Sequence, residues 1–170
     1  MRDAITWRGF MKVPALVIAL LLTSAAPAAL AAPAPVSCPE LSNAIQAGAC
    51  PSEEDLLFTF NGYCSDNARI YGKGAEVCTN YANYRKLKNI VLWETPDGNF
   101  QAYVSCDLPG ESFKARKPSA IAVSKQGKMT RLACSYGEGV TFTYRTHAEC
   151  QIENAEACKT DAAACKASCE

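Results

Sequence analysis

The sequence predicts an α+β fold: a small antiparallel β-meander of about five strands, with short N-terminal helices and a C-terminal helix, stapled by disulfides. Three observations lead to this prediction. Residues 89–150 alternate apolar and polar side chains between turn signals, residues 151–170 are rich in Ala, Glu and Lys without Gly or Pro, and the chain has ten cysteines. We expect residues 37–170 to form a single domain, in which residues 37–88 supply the helices and loops.

The beginning of the chain has the features of an export signal. Basic residues precede an uninterrupted apolar run over residues 13–22, and Ala29-Leu30-Ala31 has the small-x-small pattern of a signal peptidase site. We therefore expect residues 1–31 to be a cleaved signal peptide and residues 32–36 to form a flexible leader. A membrane anchor is the alternative, but ten apolar residues span only about 15 Å as a helix, half of the bilayer core. We expect no stable membrane insertion after cleavage.

Composition indicates a compartment rather than a reaction. An Ala-rich signal followed by many cysteines resembles a small exported bacterial protein, so we expect a periplasmic or secreted location. The formal net charge of the whole chain is zero, and loss of the signal leaves a slight acidic excess, which argues against a nucleic-acid partner. The even number of cysteines allows all of them to be oxidised: Cys38, Cys50, Cys64, Cys78, Cys106, Cys134, Cys150, Cys158, Cys165 and Cys169.

Two capping patterns predict the N-terminal helices. Ser37 and Ser52 each stand three residues before an acidic residue, as in a capping box. The first helix should run to Gly48. The second should begin after Ser52, and residues 56–60 could either continue it or form a buried strand, because so short an apolar run does not decide between the two.

A Tyr-rich loop is expected at residues 61–80, ordered by its cysteines. Tyr71, Tyr81 and Tyr84 lie in or just after it. Their rings could simply cover the edge of the sheet. Alternatively they form a contact surface for carbohydrate or peptide, since Tyr gives a large contact area at low entropic cost.

The meander is marked by its turns and by its alternation. Residues 96–99 read Pro-Asp-Gly-Asn, a hairpin signal between two alternating runs. In the last strand Val140, Phe142 and Tyr144 should face the core. The other face should be wet, and it carries three further candidate binding residues, Thr141, Thr143 and Arg145.

The C-terminal cysteines suggest an alternative chemistry. On a helix, Cys158, Cys165 and Cys169 would share one stripe, and thiolates so arranged suit Cu(I) or Zn(II). Oxidation of each sulfur to a partner elsewhere is the competing interpretation and fits an exported chain better. We expect no cofactor.

A hydrolase is the second alternative. His147 is the only histidine of the chain, and it could act as a base with Glu149 while Arg145 holds an anion. Glu94 and Asp97 are a further acidic pair near the hairpin. The sequence has neither a nucleophile-elbow motif nor a phosphate loop.

The function that we predict from these patterns is therefore binding rather than catalysis. A rigid, disulfide-rich surface could act on a protein or glycan partner as an inhibitor, an immunity factor or an envelope adaptor. The predicted contact residues are Tyr71, Tyr81, Tyr84, Thr141, Thr143 and Arg145.

Overall fold

Two antiparallel sheets organise residues 34–170, the part of the chain that the computed structural model describes. The predicted signal peptide, residues 1–31, lies outside the described residues, as do residues 32–33. The elements in chain order are β1 (Ala34–Ser37), β2 (Ile45–Gln46), α1 (Glu53–Tyr63), α2 (Asn67–Tyr71), a 3-10 turn (Ala75–Cys78), α3 (Tyr81–Lys88), β3 (Ile90–Glu94), β4 (Gln101–Ser105), α4 (Gly110–Lys114), β5 (Ala120–Gln126), β6 (Met129–Ser135), β7 (Thr141–Thr146), β8 (Cys150–Ile152), α5 (Ala155–Cys158), a second 3-10 turn (Ala162–Ala164) and β9 (Lys166–Cys169).

The larger sheet contains the predicted meander. Its six strands have the order β2-β3-β4-β7-β6-β5, all antiparallel, so the α+β, disulfide-stapled fold is confirmed. The hairpin between β3 and β4 turns where predicted, with Gly98 at a φ of 70° and Asp97 accepting a hydrogen bond from the Asn99 amide at 3.1 Å. Residues 34–170 contain nine strands, more than the predicted five, because a short strand joins this sheet and three more form a second one.

The second sheet overturns the predicted C-terminal helix at residues 151–170. Its strand order is β1-β9-β8, so both ends of the described chain meet in it. Only one helical turn (Ala155–Cys158) and a 3-10 turn remain in the tail. The Cys150–Cys169 disulfide joins neighbouring strands of this sheet, and strand pairing with that cross-link prevails over helix propensity.

The first predicted helix is also wrong. Ser37 does not cap a helix but pairs with Lys166 across β1 and β9, and the predicted leader is ordered from Ala34 onward. The segment that follows packs into the core, where the Leu41 side chain is fully buried. Burial of Leu41 and the Cys38–Cys134 disulfide fix this segment without regular helix.

The second predicted helix is confirmed. Ser52 caps α1 in a capping box with Asp55, and residues 56–60 continue the helix instead of forming a strand. The predicted loop at 61–80 contains short helical turns and is closed by the Cys64–Cys78 disulfide. α3 was not predicted, and Asn80 caps its N-terminus.

One face of the larger sheet carries the hydrophobic core. Trp93 of β3 meets Phe113 of α4 edge to face, with ring centroids 5.0 Å apart. Phe142 of β7 is fully buried, as predicted from its alternation. The buried segment around Leu41, α4 and the C-terminal tail cover this face, so the opposite face of the larger sheet is left to solvent.

All ten cysteines form disulfides, and no free thiol remains in the described part of the chain. This number of cross-links indicates an oxidising compartment. Within residues 34–170 no helix is both long enough and apolar enough to cross a bilayer. The five bonds are Cys38–Cys134, Cys50–Cys106, Cys64–Cys78, Cys150–Cys169 and Cys158–Cys165.

Candidate binding face

The solvent side of the six-stranded sheet, called here the open face, is built by the strand residues that alternate with the core. Over β5, β6 and β7 its floor consists mostly of small side chains, and the long side chains there are the paired Gln126 and Met129 at one end and two arginines. A tyrosine of β4 stands beside them. The open face includes Gln101, Tyr103, Ala122, Ser124, Arg131, Ala133, Ser135, Thr141, Thr143 and Arg145.

The two arginines face each other. Arg131 of β6 and Arg145 of β7 are direct partners in the antiparallel ladder, so both side chains rise from the same face of the sheet. Like charges directly opposite each other destabilise a sheet. Arg145 was a predicted contact residue, whereas Arg131 was not, because its position depends on the register between β6 and β7.

The arginine pair has no counter-charge in the described part of the chain. Three of the five arginines within residues 34–170 have a side-chain partner: Arg69 donates to the Tyr63 hydroxyl, Arg85 binds two acids and Arg116 binds Glu138. Neither Arg131 nor Arg145 forms an ion pair or a side-chain hydrogen bond there.

The acidic side chains of neighbouring elements are occupied elsewhere. Glu149 pairs with Lys125, and Glu138 accepts from Arg116 at 2.6 Å. Glu94 accepts from Gln101 at 2.9 Å. Glu94 lies on the open face with Gln101, but neither it nor another acid within residues 34–170 forms an ion pair with Arg131 or Arg145.

A groove follows the junction between β4 and β7. These strands share a single residue pair, Gln101 with Thr143, and among the described residues the pairing does not continue to Tyr103 and Thr141. A cavity of about 260 Å³ opens there, lined by both arginines together with these four residues. A second cavity, of about 450 Å³, continues from Tyr103 toward the turn at Gly139.

Tyr103 is the exposed aromatic side chain of this groove. It is 69% exposed and stands opposite Leu92 of β3. The predicted wet face of β7 is correct for Arg145 but wrong for Thr143. Thr143 lies between its partners on β4 and β6 and is 7% exposed, and its hydroxyl donates to the Gln101 carbonyl at 3.2 Å. Alternation along β4 puts Tyr103 on the open face. Its position near Arg145 depends on β4 lying next to β7 in the sheet.

The three predicted tyrosines lie elsewhere, in the helical part of the chain. Tyr71 is exposed, and Tyr81 donates to Glu53 at 2.6 Å. Tyr84 is only 3% exposed because it packs against Phe60 beneath α1. Tyr84 leaves almost no surface for a partner, so we remove it from the candidate contact residues.

A charged network ties the helices to the sheet. The Arg85 guanidinium of α3 binds Glu53 of α1 at 3.0 Å and both carboxylate oxygens of Asp107, at 2.7 and 3.0 Å. Hydrogen bonds from Tyr81 and Arg85 lower the pKa of Glu53, and the bond from Arg85 lowers the pKa of Asp107. Desolvation and the bond to Glu53 raise the pKa of Tyr81 to about 12. Each member has its partners, so the network is structural.

The thiolate metal site is overturned. Cys158 and Cys165 are bonded to each other, and Cys169 is bonded to Cys150, so no thiolate is available. The stripe itself does not exist, because the tail is not a helix. Within residues 34–170 no cluster of His, Cys, Asp or Glu has an arrangement that could hold a metal ion.

The predicted hydrolase residues are not assembled as a catalytic group. The Nδ1 atom of His147 lies 3.3 Å from the Lys128 carbonyl, while the Glu149 carboxylate is bound to Lys125. Asp97 accepts hydrogen bonds from its own turn, and this fixes the hairpin. No observation on these residues favours a reaction over a structural role.

Comparison of the chain with protein-family models, with curated proteins and with solved structures finds no match.

Proposed function

We propose that the chain is an exported binding module that presents its open face to a protein or glycan partner in the periplasm or outside the cell. The observation that carries the proposal is the Arg131–Arg145 pair, which has no counter-charge within residues 34–170 and stands beside the exposed ring of Tyr103. Arg and Tyr are the residue types that most often dominate binding energy at interfaces. An inhibitor, an immunity factor or an envelope adaptor would each use such a face.

Rigidity supports the same proposal. The Cys38–Cys134 disulfide anchors β6 from the core side, three residues beyond Arg131. The Cys50–Cys106 disulfide anchors the end of β4, close to Tyr103. Groups held in place before binding lose less conformational entropy when a partner arrives.

Export is the second part of the proposal. It is supported by the signal-like residues at the start of the chain and by five disulfides, which are typical of an oxidising compartment. Mass analysis of exported protein should give a mature N-terminus at or near Ala32. Membrane-bound protein that retains residues 1–31 would contradict export by cleavage.

A matched pair of variants tests the binding face. Tyr103→Ser with Arg145→Ala alters the open face, and Tyr71→Ser with Lys73→Ala alters the exposed helical part to the same extent. Both proteins should be tested with the wild type against a glycan array and against purified extracellular and envelope proteins. The proposal predicts a ligand that the second variant retains and the first loses. A ligand that both retain, or no ligand at all, contradicts it.

A further inference from the structure

We infer that Arg131 and Arg145 together form a binding site for the carboxylate or sulfate groups of an acidic glycan. The inference rests on the proposed binding function of the open face and names the chemistry of its ligand. It is carried by the placement of the two arginines, by the absence of a counter-charge in the described residues and by the character of the surrounding floor.

The register places two guanidinium groups within reach of one anion. Directly opposed residues in an antiparallel pair have Cβ atoms about 4.5–5.5 Å apart, so Arg131 and Arg145 rise side by side. Each guanidinium has a planar fork of donors that matches a carboxylate or a sulfate. One oxyanion between the two forks accepts from both and removes their mutual repulsion.

The charges around the pair favour a ligand over a structural role. Ser124 stands opposite Arg131 on β5, so that neighbouring strand supplies a hydroxyl rather than an acid. Two other basic side chains, Lys125 of β5 and Arg116 of the loop before β5, do have acidic partners. A pair that served only the fold would gain from an acid at one of the two positions. No acid within residues 34–170 pairs with either arginine, so a bound anion would be a favourable partner for both.

The surroundings of the pair favour a glycan over an acidic peptide. Tight peptide binding relies on apolar anchors that fill desolvated pockets. The cavity at the arginines is lined mostly by polar side chains, and the next row across β6 and β5 holds only the small Ala133 and Ala122. Tyr103 offers an exposed ring on which the C–H face of a sugar can pack, and Gln101 and Thr141 add polar groups along the same groove.

Calorimetric titration of the mature protein tests the inference with four probes. These are an oligogalacturonate, which carries a carboxylate on each sugar, dextran sulfate, neutral dextran and polyglutamate. We expect one or both acidic glycans to bind and both other probes to bind at least tenfold more weakly. Affinity should fall steeply with added salt, because the contact is made by exposed charges.

Single substitutions then assign the site. Arg131→Ala and Arg145→Ala should each weaken acidic-glycan binding about tenfold or more, the loss expected for a charge-assisted hydrogen bond. The lysine variants at the same positions should bind with intermediate affinity, because they keep the charge but lose the fork. Arg69→Ala, which removes an arginine of the helical part, should change binding less than twofold. Melting temperatures establish that each variant is folded.

Several outcomes would overturn the inference. Polyglutamate or neutral dextran binding as tightly as the acidic glycans would do so, and so would acidic-glycan binding that is insensitive to both arginine substitutions. A ligand whose binding requires Tyr103 but is unaffected by the Arg131 substitution, by added salt and by the charge of the ligand would contradict the anion site. The proposed binding function of the open face would still hold. If no ligand binds to the open face, both the anion site and the proposed binding function are contradicted.

Discussion

Arg131 and Arg145 stand opposite each other across β6 and β7, and no acidic residue in the described part of the chain pairs with either of them. The relationship links stability to function. In the free protein the two charges repel, which costs some stability, and a bound anion turns the same arrangement into a favourable one. Removal of one arginine should therefore affect folding and binding in opposite directions.

The two faces of β7 should respond differently to truncation. Arg145→Ala should leave the free energy of unfolding unchanged or raise it by a few tenths of a kcal/mol, because an exposed like-charge contact is removed. Phe142→Ala should lower it by about 3–5 kcal/mol, because Phe142 is fully buried. Urea unfolding of both variants measures this. Equal destabilisation would show that the assignment of the two faces is wrong.

The disulfides should differ in how much each one stabilises the folded protein. In the chain-entropy account the stabilisation grows with loop length, from about 3 kcal/mol for a 15-residue loop to about 4.7 kcal/mol for a 100-residue loop. The Cys38–Cys134 bond spans 96 residues and the Cys64–Cys78 bond spans 14. Replacing the first pair with alanines should therefore destabilise more, also because Cys134 is fully buried. A larger loss from the second pair, in matched denaturant melts, would contradict this order.

The Arg85 network should make stability depend on pH at both extremes. The folded state lowers the pKa of Glu53 and Asp107, so their contribution is full above the unfolded values of about 4 and is lost as pH falls through the lower folded values. Tyr81 has its pKa raised to about 12, so its contribution is lost as pH rises from about 10 through that value.

An Arg85→Ala variant tests the predicted loss of stability at acidic pH. The stability difference between wild type and variant, measured by urea unfolding from pH 7 to pH 2, should narrow once the pH falls below about 4, because protonated carboxyls no longer bind Arg85. Both proteins share the remaining carboxyls, whose effects cancel in the difference. A difference that stays constant over this range would show that the network does not carry the pH dependence.

Two glycines should respond in opposite ways to alanine. A methyl group on Gly110 would lie 2.7 Å from the Trp93 ring, which is itself held by Phe113, so Gly110→Ala should destabilise by about 1–3 kcal/mol. Gly62 lies in α1 with no atom within 4 Å of an added methyl, so Gly62→Ala should stabilise by about 0.5–1 kcal/mol. Thermal melts of the two variants measure both signs. A Gly110→Ala variant as stable as the wild type would contradict the packing around Trp93, and destabilisation by Gly62→Ala would contradict the open space at Gly62.

Local patterns in the sequence predicted the local parts of the fold. The hairpin at residues 96–99 needs only a left-handed glycine between alternating runs, and α1 needs only its cap at Ser52. The alternation around Phe142 identified the core face of β7. These features depend on residues near in the chain, so a sequence pattern is sufficient to find them.

The predictions that were wrong concern segments whose structure is set by pairing with residues far away in the chain. Ser37 has the features of a helix cap, yet it pairs with Lys166 near the opposite end of the described chain. Seven residues along a helix would separate Cys158 from Cys165 by about 10 Å. Their Cα atoms are 4.6 Å apart because the disulfide folds the tail back on itself. Connectivity of this kind is not encoded in helix propensity.

The candidate site was found only in part for the same reason. Alternation along β7 predicts that Arg145 faces solvent. Alternation along β6 likewise puts Arg131 on the face opposite to that of the buried Leu132. That the two arginines meet depends on the register, which the turn between β6 and β7 sets. The many tyrosines of the helical part led to the prediction of a contact surface there, but one of them, Tyr84, is buried and contributes to packing instead.

Chemical-shift mapping of the isotope-labelled mature protein with oligogalacturonate and with dextran sulfate tests the central claim most directly. Backbone and arginine side-chain signals should shift at Arg131, Arg145 and the adjoining groove with either or both probes, while the signals of α1 and α3 stay in place. Shifts concentrated on the helical part, or no saturable shifts with either probe, would contradict an acidic-glycan site on the open face.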